Sequence, residues 1–247
     1  MKLTVMGTSC TWFERRNTSF VIDDNIVLDT PAGSYKFVVK NFDVTKIDTI
    51  FITHFHDDHF IESRIFTTSF MRNYRGRRIG KLRVFGPKGI AQKIIDLNKF
   101  IIGSKDECSM EHTLKSIEFI EVENGKTYSV GKYDVQAFKV EHGEPLTFGY
   151  KFSEKGGKTV AFTGDTLYCE NVEKMISESD VSFVDFTTMS PHISHMCKDD
   201  FLKIKKNYPN KIIYPVHTTD DVQKFVEENN LNPLHDGQVL IIWLNCD

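Results

Sequence analysis

The sequence predicts an α/β protein in which two β-sheets pack against each other with helices outside. Short β-branched and aromatic runs come in two batches, and each batch is trailed by segments of helical spacing. No repeat, low-complexity stretch or linker rich in Pro, Gly or Ser divides the chain. One domain over residues 1–247 is therefore expected, long enough to bury a core of normal size.

The elements follow in order. Residues 3–6 form a short apolar strand, and 19–28 alternate through Phe20, Ile22 and Ile26 as the next. Residues 48–53 are a β-branched run that delivers the chain straight into a histidine cluster. After Pro87-Lys88-Gly89, residues 90–100 carry helical spacing through Ile90, Ile94, Ile95 and Leu97. Strands are then expected at 116–122, 127–130, 134–140, 147–152 and 159–163, and helices at 170–177 and 198–207. A strand at 212–216, a helix at 221–229 and a strand at 239–244 complete the pattern.

The composition, 40% hydrophobic and 26% charged, is that of a soluble globular protein. The formal net charge of -3 favours neither a polyanion nor a membrane as a general partner. The five cysteines (Cys10, Cys108, Cys169, Cys197, Cys246) are odd in number and share no metal-finger spacing. The first residues are too short in apolar length for a signal peptide, and no run approaches a membrane span. A reduced, cytoplasmic setting without a membrane partner is expected.

The chemistry concentrates in His54-Phe55-His56-Asp57-Asp58-His59. At the end of an extended strand alternate side chains face the same way, so His54 and His56 point at one ion. A turn at Asp57 then presents Asp58 and His59 to a neighbouring position. Imidazole nitrogens and carboxylate oxygens are the ligands that borderline divalent metals prefer. A lone histidine is usually a solvated loop residue; this density after an apolar strand is not.

The pattern His-x-His-x-Asp-His after an apolar strand resembles the signature of the metallo-β-lactamase superfamily. The remaining parts occur in order, each closing a strand-like run: His142 in Val140-Glu141-His142-Gly143, Asp165 in Phe162-Thr163-Gly164-Asp165, and His217 in Tyr214-Pro215-Val216-His217. The resemblance covers nearly the whole chain and implies a four-layer αββα sandwich with metals at one edge. It further implies that His54, His56 and His142 hold one metal, that Asp58, His59 and His217 hold a second, and that Asp165 bridges them. Two divalent ions, zinc first with manganese or iron compatible, would share a hydroxide that attacks the substrate, and Asp58 would also orient it.

Smaller features resemble the ribonuclease Z branch: Arg16-Asn17-Thr18-Ser19, Phe85-Gly86-Pro87-Lys88-Gly89-Ile90 and Pro191-His192-Ile193-Ser194-His195-Met196. In that branch a histidine of the last segment contacts the scissile phosphate and helps protonate the leaving group. His195 matches better than His192, and Asp185 resembles the acidic residue that orients such a histidine. The branch also inserts a long tRNA-gripping arm between the ligand histidine and the bridging aspartate. Here 165 − 142 leaves 23 residues, enough for a hairpin. The branch's acidic motif after the second strand is replaced by Leu28-Asp29-Thr30-Pro31-Ala32-Gly33.

The expected function is thus a metal-dependent phosphodiesterase acting on a small or nucleotide-derived phosphodiester, with tRNA not expected. A lactone, thioester or carboxylic ester hydrolase, or a non-catalytic nucleotide-binding relative, are the alternatives. A homodimer is compatible with such a fold. The basic run Arg72, Arg75, Arg77, Arg78, Lys81 and Arg83 suits phosphate contacts. The aromatic stretch 66–74 suits a lid or a dimer contact.

Overall fold

A computed structural model describes residues 1–71, 81–103 and 117–242. The first sheet contains β1 (Lys2–Gly7), β2 (Ser19–Ile22), β3 (Ile26–Leu28), β4 (Thr49–Phe51), β5 (Leu82–Gly86) and β6 (Ile117–Glu121), with β13 (Val239–Ile241) returning beside β1. The second contains β7 (Thr127–Val130), β8 (Tyr133–Val140), β9 (Thr147–Glu154), β10 (Thr159–Phe162), β11 (Val181–Asp185) and β12 (Ile212–Val216). Among the described residues the orders are β13-β1-β2-β3-β4-β5-β6 and β12-β11-β10-β9-β8-β7. Each sheet has a parallel half, β3 to β6 in one and β10 to β12 in the other, and an antiparallel half.

The strands read as near-continuous apolar runs because both faces are covered. Alternate residues at the end of β4 show this: Phe51 turns inward to the second sheet, while Ile50 and, just past the strand, Ile52 turn outward under helices. Between the sheets lie Leu3, Phe20, Phe51 and Phe85 from one side and Tyr150, Phe152, Phe162 and Phe183 from the other. Over the outer face of the first sheet pack α1 (Ser34–Asn41), α3 (Ser63–Met71) and α4 (Ile90–Ile102), through Val38, Phe66, Ile90 and Ile94. Over the second pack α5 (Glu170–Ser177), α6 (Lys198–Asn207) and α7 (Asp220–Glu228), through Met175, Phe201, Ile204 and Val226. The layers are therefore αββα, as the sequence predicts.

Several local readings change. The run 19–28 is a hairpin, β2 and β3, because Asp23 and Asp24 take left-handed conformations at φ 47° and 63°. A short helix α2 (Asp57–Phe60) follows the histidine strand, and α1 and α3 are helices that apolar periodicity did not reveal. Of the aromatic stretch 66–74, Phe66 is 3% exposed and packs edge-on against Tyr35 in the core. Arg72, Tyr74, Arg75, Arg77 and Arg78 lie outside the described residues, while Arg83 sits on β5 and bonds the Ser129 carbonyl and Glu118. No helix among the described residues is long and apolar enough to cross a membrane. Cys10, Cys169 and Cys197 are free thiols; Cys108 and Cys246 lie outside the described residues.

The parallel halves position the site. β3, β4, β10, β11 and β12 all end at one edge, where α/β sheets bind ligands beyond their carboxyl ends. There the Phe148 amide of β9 donates to the Thr53 carbonyl beyond β4 at 3.0 Å, tying one sheet to the other.

Candidate metal centre

β4 delivers Thr53 and His54, the latter fully buried. The backbone stays extended through His56, so its ring comes beside that of His54 with centroids 4.5 Å apart. α2 then winds a single turn that carries Asp58 and His59 back toward the same edge. From the second sheet, β8 runs out to His142, β10 to Asp165 and β12 to His217. Gly164 takes φ 63°, and a Cβ there would stand 3.1 Å from the Phe148 carbonyl oxygen, so glycine is what lets Asp165 turn inward. His217 itself is left-handed at φ 59°, which swings its ring off the strand line into the cluster.

One carboxylate oxygen is the hub. Asp165 Oδ2 lies 3.2 Å from Nε2 of His59 and of His217, and 3.8 Å from Nε2 of His54 and of His142. His54, His56, His142 and Asp165 each offer a ligand atom, all within 4.8 Å of one another, and Asp58, His59 and His217 do the same. The structure thus brings all seven sequence-predicted residues together, and a third group, Asp165, Asp185, His195 and His217, overlaps them.

The rings are fixed from behind by partners of which the sequence motifs mark only Asp185. His54 Nδ1 meets Thr53 Oγ1 at 3.0 Å, and that hydroxyl donates to Asp29 at 2.9 Å. His59 Nδ1 meets Asp29 at 2.8 Å, and the Thr53 amide donates to the same carboxylate at 2.8 Å. His217 Nδ1 meets Thr187 Oγ1 at 2.9 Å, which donates to Asp185 at 2.7 Å. His142 Nδ1 donates to the Ser194 carbonyl at 2.8 Å. These four rings therefore spend Nδ1 outward and turn Nε2 toward Asp165, the arrangement that holds a metal-binding imidazole in one tautomer, whereas His56 points Nδ1 inward, 3.2 Å from His142 Nε2. The only sequence signal for Asp29 was an acidic residue directly after a strand.

The electrostatics fit a cation. Burial holds His54 and His142 below the ordinary histidine range, keeping their nitrogens neutral and able to coordinate. Burial opposes the charged form of Asp165, but His217 and His59 outweigh it and keep the carboxylate ionised. Burial likewise opposes the charge on His59, yet Asp165, Asp29 and Asp58 together hold its pKa well above the usual value. The Nε2 atoms of His54 and His59 are buried without a hydrogen-bond partner; the 3.2 Å approach of His59 to Asp165 is not aligned as one. Buried nitrogens left unpaired around an ionised carboxylate are what a divalent ion completes.

His195 stands at the edge of this cluster, at the wall of an open cavity of about 550 Å³ shared with His56, Asp58, Asp165 and His217. Its Nδ1 lies 2.9 Å from Asp185, and its ring stacks on His217 with centroids 5.0 Å apart. Burial disfavours its cation, but the Asp185 carboxylate prevails and its pKa is pushed up to about 9. The rival His192 is exposed, and its Nδ1 accepts from Ser194.

Similarity to known proteins points the same way. Ribonuclease Z of Staphylococcus saprophyticus is 31% identical over 160 residues, covering 61% of this chain and 49% of that enzyme, so the match spans about half its length. Human tRNase Z, short form, superposes with a TM-score of 0.74 at 17% identity over 99% of this chain and 100% of that one. A diphosphatase from the PhnP family does so with 0.74 at 19% identity, over 99% of both chains. Such distant superpositions establish the fold alone. The model of the beta-lactamase superfamily domain matches residues 25–218, which hold every residue of the cluster from Asp29 to His217, and the chain belongs to that superfamily.

Proposed function

We propose that the protein is a metal-dependent phosphodiesterase-like hydrolase, built as one domain, acting on a small or nucleotide-derived phosphodiester. The observation that carries the proposal is the convergence on Asp165 of two imidazole groups, with the Asp185-held His195 beside them. His54, His56 and His142 would hold one divalent ion, Asp58, His59 and His217 a second, and Asp165 would serve both. Zinc suits this borderline nitrogen and oxygen set, with manganese or iron compatible. Bound there, such ions supply Lewis acidity and a lowered pKa for water.

The chain's own groups do the rest. Asp58, fixed by the Thr11 hydroxyl at 2.7 Å, accepts a hydrogen bond from the attacking water and aims it at phosphorus. His195 keeps Nδ1 on Asp185 and has Nε2 free to give a proton to the leaving oxygen as its bond to phosphorus breaks. The segment between His142 and Asp165 is taken up by β9, β10 and their turn, leaving no span for an RNA-gripping arm. A small substrate fits that geometry, and the free thiols Cys10, Cys169 and Cys197 suit a reducing, cytoplasmic setting.

Metal analysis of the purified protein, with steady-state assays on bis(p-nitrophenyl) phosphate, a lactone and a β-lactam, tests this reading. Turnover confined to the phosphodiester supports it. No phosphodiester turnover with either zinc or manganese refutes it.

A further inference from the structure

We propose that Trp12 is a stacking platform for an aromatic ring, a nucleobase, carried by the substrate. The proposal rests on the phosphodiesterase reading and names the part of the substrate that reading leaves open.

Trp12 is 92% exposed, yet it lines the cavity that holds His56, Asp58, Asp165 and His195. Its backbone is left-handed at φ 86°, a conformation that a bulky side chain adopts at a cost. Folding gains nothing from this arrangement, because the indole buries almost none of its surface. The loop is nevertheless built to hold it. At one end the Thr8 and Ser9 amides donate to the Arg16 carbonyl, both at 3.0 Å. At the other, Arg15 donates to the Thr218 carbonyl at 2.8 Å and the Arg16 amide to Asp236 at 2.7 Å. In the middle, the Thr11 hydroxyl is bonded to Asp58 at 2.7 Å. The residue bearing the exposed indole is therefore the direct neighbour of one anchored on the metal cluster.

Half-buried Phe13 adds a second aromatic wall to the same cavity. His192 and His195 line the same cavity. A phosphoryl group seated at the cluster has Trp12 and Phe13 within reach of one of its substituents. An open, flat π-face carried on an anchored loop suits a nucleobase, since stacking tolerates any base and needs no hydrogen-bond readout. A short aliphatic substituent would leave the indole in water.

Intrinsic fluorescence and kinetics of the whole chain test the subsite. Wild-type protein, W12F and W12A are titrated with adenosine 5′-monophosphate and with ribose 5-phosphate as the base-free control. Adenosine 5′-monophosphate is expected to quench wild-type emission with a component missing from W12F, and W12A is expected to bind it about tenfold more weakly. In turnover, the preference in kcat/KM for adenosine 2′,3′-cyclic phosphate over ribose 2,3-cyclic phosphate should fall about tenfold in W12A, through KM, and be largely kept in W12F. Equal nucleotide affinity in wild type and W12A overturns the proposal. So does an equal loss on both substrates, or a loss that tracks conversion of a dimer to a monomer. If wild-type protein turns over no phosphodiester at all, the proposed reaction fails, while the nucleotide titration still decides for or against the platform.

Discussion

In the first sheet Asp29, just past β3, takes His59 Nδ1 at 2.8 Å and the Thr53 hydroxyl at 2.9 Å, and Thr53 in turn meets His54. In the second, Asp185, ending β11, takes His195 Nδ1 at 2.9 Å and the Thr187 hydroxyl at 2.7 Å, and Thr187 meets His217. Each sheet thus carries the same unit, one buried carboxylate that holds one threonine relay and, directly or through it, two imidazoles. The difference lies in what the carboxylate-held ring faces. His59 is 1% exposed and turns Nε2 to Asp165, whereas His195 is half-buried and opens on the cavity. One local arrangement therefore holds one ring sealed inside the cluster and another open to the cavity.

Substitutions that treat the two halves differently break or sharpen this comparison. The largest effect is expected at the shared hub: D165A should lose bound metal and lower phosphodiester turnover by at least about 10³-fold, read by elemental analysis and steady-state rates. Next, H195A should keep its metal while kcat falls by about 10² or more; unchanged kinetics would remove His195 from the reaction. D29N, which loosens the sealed ring, should weaken metal affinity by about 10- to 100-fold in a chelator competition. D185N should retain metal and cost roughly tenfold in rate. Its pH profile gives a sign as well. Asp185 raises the pKa of His195, so the acid form exists below that pKa and is lost as pH rises through it. Removing the carboxylate charge should move the alkaline limb of the rate profile to lower pH. Metal loss in D185N comparable to that in D29N would abolish the distinction between the halves.

The parts legible in the sequence were those encoded by neighbours. His54 to His59 announced themselves because one strand end and one helical turn carry five chemical groups within six residues. His142, Asp165 and His217 were found because each closes an apolar run at a strand end. Apart from Asp185, the orienting groups were hidden because they depend on pairing. Asp29 meets Thr53 only once β3 and β4 lie parallel, with Leu28 beside Phe51. Thr187 reaches His217 only because β11 and β12 are neighbours. The helix α1 was missed because Tyr35, Phe37, Val38 and Val39 read as strand formers and tertiary packing overrides that tendency. The hairpin of β2 and β3 was missed because its left-handed turn is made by Asp23 and Asp24, without the glycine that marks most such turns.

The bond from Arg15 to the Thr218 carbonyl joins residues 203 positions apart, that from Thr8 to Asp236 joins residues 228 apart, and β1 pairs with β13. The loop bearing Trp12, the turn bearing Asp58 and the strand end bearing His217 are thus assembled from opposite ends of the described chain. Contacts of such separation form late, after their loop-closure entropy has been met. A ribosome adding about 5–20 residues per second would expose the His54 cluster many seconds before His217 emerges. The nascent chain therefore carries an incomplete cluster through most of its synthesis.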